Sequence, residues 1–552
     1  MQLSPDNQRW LEAFRARHGR DPRILHIGNI ANNAYNNARL LNEAGLDCDV
    51  ICYDYYHIMG CPEWEDADFS SNYGDQFKPD WVAAGVRDFV RPRWFAQGPV
   101  EDCIDYLVAR KEGRVSEADS RWSKLAALNG SRLPVDSCAQ AKVFLWATRL
   151  QHYLNRIGQA IKYLATSRGI ASRIAGSCDA GRVSFLSSSE IVRLFFAWGL
   201  IAVALVVRIG GYPFKRLVGS DWTSTFDARV AELVSGFAAA FPSRTDNLSA
   251  GDTGMYRQIT YQWSRLFECY DLVQAYATDP ILPMLAGKRP YIGFEHGTLR
   301  SHTQCEEPIC RLTSLAYNMA DHVFITNGDC LEYARKIGVT RFTPMLHPVD
   351  ERRIAQIEGR YEETRRELGV RHVFLCTLRH DWAIKGTDQY IRALPELTGT
   401  LGRDFRVIMT RWGADLDKSI ALAESLGVAD LIIWSEPFSR RKLIQTLKST
   451  DILFDQIALP HFGATAPEGI AAGIPVIMSH DPKSTEWLVA EPAPILTAHN
   501  ATEIAAQVSR ALDPVWLDDY RQRAAKWFDA HHSSRLVVQG HMDAYRRLIP
   551  ID

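Results

Sequence analysis

DILFDQIALPHFGATAPEGIAAGIPVIMS, residues Asp451–Ser479, reads as strand, loop, short helix, strand. Asp451–Asp455 is a short apolar run rich in β-formers. The loop carries His461-Phe462-Gly463. Pro467 suits the first helical position, where its missing N–H costs nothing. Gly473 closes the helix, where a left-handed cap is wanted, and Pro475-Val476-Ile477-Met478 opens the next strand. A helix N-terminus offers unpaired N–H groups and partial positive charge, and Gly463 lets a ligand approach the backbone. Glu468 sits in the first turn. Its carboxylate either accepts hydrogen bonds from two adjacent hydroxyls, as on a ribose, or only complements the helix dipole.

The same alternation extends outward. Helix Asp350–Leu368 opens the C-terminal half. Strands Val373–Thr377, Phe405–Thr410, Leu431–Trp434, Ile452–Asp455 and Val476–Met478 alternate with helices Thr387–Leu394, Asp415–Leu426 and Arg440–Lys448. That is a doubly wound α/β domain, residues 347–515. Arg379 and Lys385-Gly386 lie on its first strand-to-helix turn, where two cations suit a diphosphate. Arg411-Trp412-Gly413 follows the next strand.

The N-terminal half, residues 1–346, begins with a βαβ unit: strand Arg23–Ile27, helix Asn33–Ala44, strand Asp49–Tyr53. Its turn is not G-x-G-x-x-G, so a dinucleotide fingerprint is absent. The turn is crowded with asparagines, Asn29, Asn32 and Asn33 among them; these make caps and turns, or face an acceptor at the strand ends. Regular sequence resumes near Asp271, with strands at Tyr291–Phe294, His322–Thr326 and Arg341–Leu346. The loop Glu295–Arg300 concentrates polar groups: His296 lines a ligand or caps the next helix, and Arg300 binds an anion or pairs with a surface acid. His347-Pro348-Val349-Asp350 reads as an interdomain linker. Residues about 57–257 read as a largely helical insertion, and 516–552 as a helical tail.

Phe462, Gly463, Glu468, Ala471, Gly473, Pro475 and Val476 together resemble the nucleotide-binding signature of the retaining glycosyltransferases of family 4 (glycosyl transferases group 1), which have the GT-B fold. The resemblance implies two Rossmann-like domains facing across a cleft, with the tail crossing back. It implies transfer of a sugar from a nucleotide-diphosphate donor to a glycan, lipid-linked sugar or small-molecule acceptor, with retention at the anomeric carbon, in polysaccharide or glycolipid biosynthesis. His296 would face the donor sugar, and Arg379 and Lys385 would bind the diphosphate without a metal or other cofactor. Glu468 would hold the ribose, and His461, Phe462, Gly463, Arg411 and Gly413 would line the donor site. One departure stands out: the family carries an earlier Glu where this chain has Pro460. Two rivals follow from it, a non-catalytic sugar-nucleotide-binding protein and a GT-B epimerase or phosphorylase.

Composition bounds the rest. The 552 residues exceed one domain, and 46% hydrophobic content supplies real cores. Net charge −2 argues against a nucleic-acid binder. The 11 cysteines form no zinc pattern and are expected to be free thiols in a reducing cytosol. Leu194–Val207 is unbroken apolar sequence between two arginines, shorter than the ~20 residues of a bilayer span. It is a buried core helix, a peripheral membrane contact on a cytoplasmic protein or, least in keeping with its length, a true span.

Overall fold

The computed structural model describes residues 3–70, 72–86, 89–129, 220–460, 462–463 and 465–551. The chain divides into two compact units, Met1–Arg132 with Leu233–Asp552, and Leu133–Glu232. The first carries two parallel sheets. Leu194–Val207 and His461 lie outside the described residues.

The N-terminal sheet has seven strands: β1 Arg23–Ile27, β2 Asp47–Tyr53, β3 Phe95–Gly98, β4 Leu272–Tyr276, β5 Tyr291–Phe294, β6 His322–Ile325 and β7 Phe342–Pro344. Their spatial order is β3-β2-β1-β4-β5-β6-β7, every pair parallel. The C-terminal sheet contains β8 His372–Cys376, β9 Phe405–Thr410, β10 Ile432–Ser435, β11 Ile452–Phe454, β12 Val476–Met478 and β13 Leu496–Thr497. Its order is β10-β9-β8-β11-β12-β13, again all parallel. Parallel pairing needs crossovers that cover both faces, so strands such as Ile24–Ile27 and Val373–Cys376 are apolar runs buried on both sides. Both sheets reverse direction once, between β1 and β4 and between β8 and β11. Ligands of such sheets bind at that reversal, beyond the carboxyl ends of the strands. Two Rossmann-like domains in this order make a GT-B fold.

The C-terminal tail is two helices. Pro514–His531 places Tyr520, Trp527 and Phe528 in the core beneath the second sheet. Ser534–Leu548 places Val537, Met542 and Tyr545 in the core of the first. The crossing therefore comes at His532-Ser533, and not from residue 516. His532 Nε2 bonds the carbonyl of the linker residue His347 at 2.9 Å.

Three expectations are corrected. The segment from residue 57 is not all insertion: β3 pairs with β2, and helices Val100–Lys111 and Val115–Leu128 follow it. The helix expected at Asp350–Leu368 is broken into Glu351–Gln356 and Tyr361–Leu368, and Gly359 between them has no room for a Cβ beside the Lys448 carbonyl. Among the described cysteines, Cys305 and Cys310 are joined as a disulfide and the others are free thiols.

Candidate functional site

At the reversal of the C-terminal sheet, the turn after β8 carries Arg379 and Lys385, and Asp455-Gln456 follow the end of β11. The Lys385 ammonium donates to Gln456 Oε1 at 2.5 Å, bridging the two strand ends. Burial pushes Lys385 below the usual lysine range; the Asp455 carboxylate opposes that shift, while Arg379 and Arg300 add to it. Asp455 is buried, and burial raises its pKa against the pull of Lys385 and of the Gln456 and Ala466 backbone N–H groups. Arg379 donates to Asp381 Oδ2 at 3.1 Å, and its Nε has no partner among the described residues. Arg379 and Lys385 share the turn after β8, and two cations on a strand-to-helix turn suit a diphosphate.

Gly413 shapes this turn. It has φ +114°, and an added Cβ would lie 2.5 Å from the His380 carbonyl oxygen. The His380 N–H donates to the Trp412 carbonyl at 2.8 Å, so the turns after β8 and β9 are stitched together. Gly413 is thus a backbone requirement of the turn that holds Arg379. The Arg411 side chain is exposed to solvent.

Phe462 is turned away from the role expected for it. Its ring stacks on His480 at 5.2 Å and meets Trp527 edge-on, so it packs the loop onto the domain core. Gly463 lies against Asp455, so close that an added Cβ would sit 3.1 Å from both carboxylate oxygens. Glu468 is 1% exposed and forms an ion pair with Arg440. Glu468 and Arg440 line an interdomain cavity of about 260 Å³ together with Arg39, Glu65, Asp66 and Arg353. The phosphate-type cations Arg379 and Lys385 do not line that cavity.

The reversal of the N-terminal sheet holds a second cavity, about 480 Å³, whose walls include Ile30, Thr278, His296, Thr298 and Arg300. His296 stacks against His347 at 5.7 Å. Burial, with His347 beside it, pushes its pKa down to about 3, so the ring is neutral, and its Nε2 has no partner among the described residues. The preceding Glu295 anchors the loop: fully buried, it accepts from Gly297 N, from Thr326 Oγ1 at 3.1 Å and from Asn327 Nδ2 at 3.0 Å. Arg300 forms a bidentate pair with Asp329, so as an anion binder it is already half neutralised.

The asparagines are corrected as acceptor contacts. Asn29 Nδ2 donates to Asn32 Oδ1 at 2.8 Å and to the Gly60 carbonyl at 2.9 Å, and Asn32 Nδ2 donates to the Cys61 carbonyl at 3.0 Å. Both side chains are buried and brace the turn after β1. Asn33 donates to the Ile30 carbonyl at 3.1 Å, and its Oδ1 meets His347 Nδ1 at 3.1 Å, tying the turn to the linker. Sequence reasoning missed Arg440 and Glu65. Nothing local marks them, since Arg440-Arg441-Lys442 reads as an exposed helix start. Among the described residues no cluster of His, Cys, Asp or Glu is arranged to hold a metal, and no helix is long and apolar enough to cross a membrane.

Residues 364–526 match the family model described as Glycosyl transferases group 1. The chain is a transferase enzyme whose C-terminal half contains that match. No curated protein matches the chain by sequence. Among solved structures, it is similar to Anabaena Alr3699/HepE in complex with UDP and glucose, at 17% identity and TM-score 0.45, covering 54% of this chain and 83% of that one. Sucrose-phosphate synthase from Thermosynechococcus elongatus follows at 15% identity and TM-score 0.40, covering 53% and 79%. Trehalose-6-phosphate synthase OtsA is 13% identical at TM-score 0.42, covering 60% and 85%.

Proposed function

We propose that this enzyme is a retaining glycosyltransferase of the family 4 type, which moves a sugar from a nucleotide-diphosphate donor to a hydroxyl of a glycan, lipid-linked or small-molecule acceptor. The observation that carries the reading is the pairing of Arg379 and Lys385 on the turn at the reversal of the C-terminal sheet, within the segment 364–526 that matches a glycosyltransferase family model. In the reaction the bond from the anomeric carbon to the diphosphate oxygen breaks, the acceptor hydroxyl oxygen bonds to the same face of that carbon, and its proton passes to the departing phosphate oxygen. Negative charge grows on the leaving phosphate. Arg379 and Lys385 stabilise it, an effect of about 10²–10³ in rate per fixed donor. The neutral His296 lines the sugar side as a hydrogen-bonding group and carries no charge into the step.

Two side-chain cations do here the neutralising that a divalent metal does elsewhere, so turnover proceeds in excess EDTA. Glu468 grips the ribose once Arg440 leaves it. Pro460 removes one sugar contact, worth about 1–3 kcal/mol of orientation, and leaves the phosphate clamp intact; it changes sugar preference and does not make the protein a mere binder. The enzyme is cytoplasmic, and Leu194–Val207, which lies outside the described residues, is its candidate peripheral membrane contact, with a buried core helix as the alternative. Liposome co-sedimentation that persists in a Leu194→Glu, Leu205→Glu variant would remove that last part of the reading. Isothermal calorimetry with nucleosides and nucleoside diphosphates tests the donor site: the diphosphate must add affinity, and equal affinity for both would reject the clamp.

A further inference from the structure

Glu468 is the proposed ribose holder, yet its carboxylate is shielded. It is 1% exposed, its carboxylate is taken by Arg440, and its Oε2 has no hydrogen-bond partner among the described residues. A ribose diol needs that carboxylate free, so Arg440 must move before the nucleotide can seat. Where it goes is built into the fold. Arg440 opens helix Arg440–Leu447 of the C-terminal domain. Its guanidinium lies 5.4 Å from the ring centroid of Trp64, and its Nε is 4.0 Å from Glu65 Oε1. Both of those residues stand on helix Pro62–Asp66 of the N-terminal domain.

The surroundings favour this partner. Asp66 is already occupied by Arg353 at 2.5 Å and by Arg39 at 3.2 Å, whereas Glu65 is only loosely engaged, 3.9 Å from Arg353. Four arginines, Arg39, Arg353, Arg440 and Arg441, thus line the interdomain cavity with four acids, Glu65, Asp66, Asp350 and Glu468, and Arg440 stands between an acid of its own domain and one of the other. A guanidinium stripped of its acid inside such a cavity is strongly disfavoured, so it re-pairs with the acid in reach.

We propose that Arg440 gates the donor site: it holds Glu468 closed in the free enzyme, and a nucleotide ribose displaces it onto Glu65, drawing the two domains together. The proposal rests on Glu468 as the ribose holder. Donor binding is then coupled to closure by the exchange of one ion pair, and the closed form exists only while the ribose occupies Glu468.

Calorimetry on the full chain, with UDP, GDP and ADP as probes and the tightest pursued, reads the gate. Arg440→Met should bind that nucleotide more tightly, by roughly threefold to tenfold, because nothing competes for Glu468. Glu65→Gln should bind it more weakly, because the displaced arginine loses its destination. Small-angle scattering should show the wild type contracting on nucleotide addition and Glu65→Gln failing to contract. Weaker binding by Arg440→Met would overturn the gate and make Arg440 a contact of the nucleotide. Unchanged affinity and contraction in Glu65→Gln would overturn it equally, and that variant keeps the Arg440–Glu468 pair should Arg440→Met fold poorly. Glu468→Gln separates the two readings: unchanged affinity there removes the ribose assignment itself, whereas lost affinity with a failed gate leaves that assignment standing.

Discussion

Replacing Lys385 with methionine isolates the phosphate clamp. Methionine fills the volume of the aliphatic stem and deletes the ammonium, which lies 2.5 Å from Gln456 Oε1 at the sheet reversal. A hydrogen bond from a charged group contributes about 1.5–3 kcal/mol. At 1.4 kcal/mol per decade, nucleoside diphosphate affinity should fall roughly tenfold to 150-fold. The fold also loses the Lys385–Gln456 hydrogen bond and the counter-charge of Asp455, at about 1–3 kcal/mol. Asp455, whose pKa burial already raises, moves further up and neutralises itself. Calorimetry should show the loss for the diphosphate and none for the nucleoside, and adding Arg379→Met should cost less than the sum of the single changes, since both cations serve one charge. Equal losses for nucleoside and diphosphate, or full additivity, would refute the clamp.

Diphosphate affinity should fall as pH rises through the lowered pKa of Lys385, and Asp455→Asn, which removes the charge opposing that shift, should move the fall to still lower pH; an unmoved midpoint in calorimetry at several pH values would contradict the coupling. Gly413→Ala should destabilise the chain by roughly 2–4 kcal/mol in urea unfolding, from the left-handed backbone and the overlap with His380, with a loss of diphosphate affinity because Arg379 adjoins the displaced residue. Asp279, beneath Tyr53, has its pKa raised by burial from 3.8 to about 7. A raised folded value favours the protonated form, so its contribution to stability is present below 3.8 and lost as pH rises through 7. Asp279→Asn should therefore gain stability over the wild type in urea unfolding as pH climbs from 5 to 8, by at most about 3 kcal/mol, the roughly two pH units of that window below 7.

The alternation of apolar runs with helices was legible because parallel strands are buried on both faces and their pattern needs no tertiary context. Arg379 and Lys385 were legible as candidates because they follow a strand end, where doubly wound sheets bind ligands. What escaped depended on distant partners. Phe-Ala-Gln-Gly at 95–98 is a weak strand by composition and forms because β2 offers it an edge. Asn29 and Asn32 carry ligand-type side chains, but the carbonyls of Gly60 and Cys61 consume them. Phe462 belongs to a binding signature, yet its ring packs against His480 and Trp527. Arg440 and Glu65 stand hundreds of residues apart in sequence and meet only when the domains do.

The most direct measurement follows nucleotide-sugar donors by phosphorus NMR with the purified chain in excess EDTA. A panel of donors should contain at least one from which nucleoside diphosphate is released, slowly to water and faster with a hydroxyl acceptor, and the Arg379→Met, Lys385→Met double variant should lose that release. Donors that bind but stay intact across the panel, or release that survives the double variant, would contradict a transferase whose leaving group is held by those two cations.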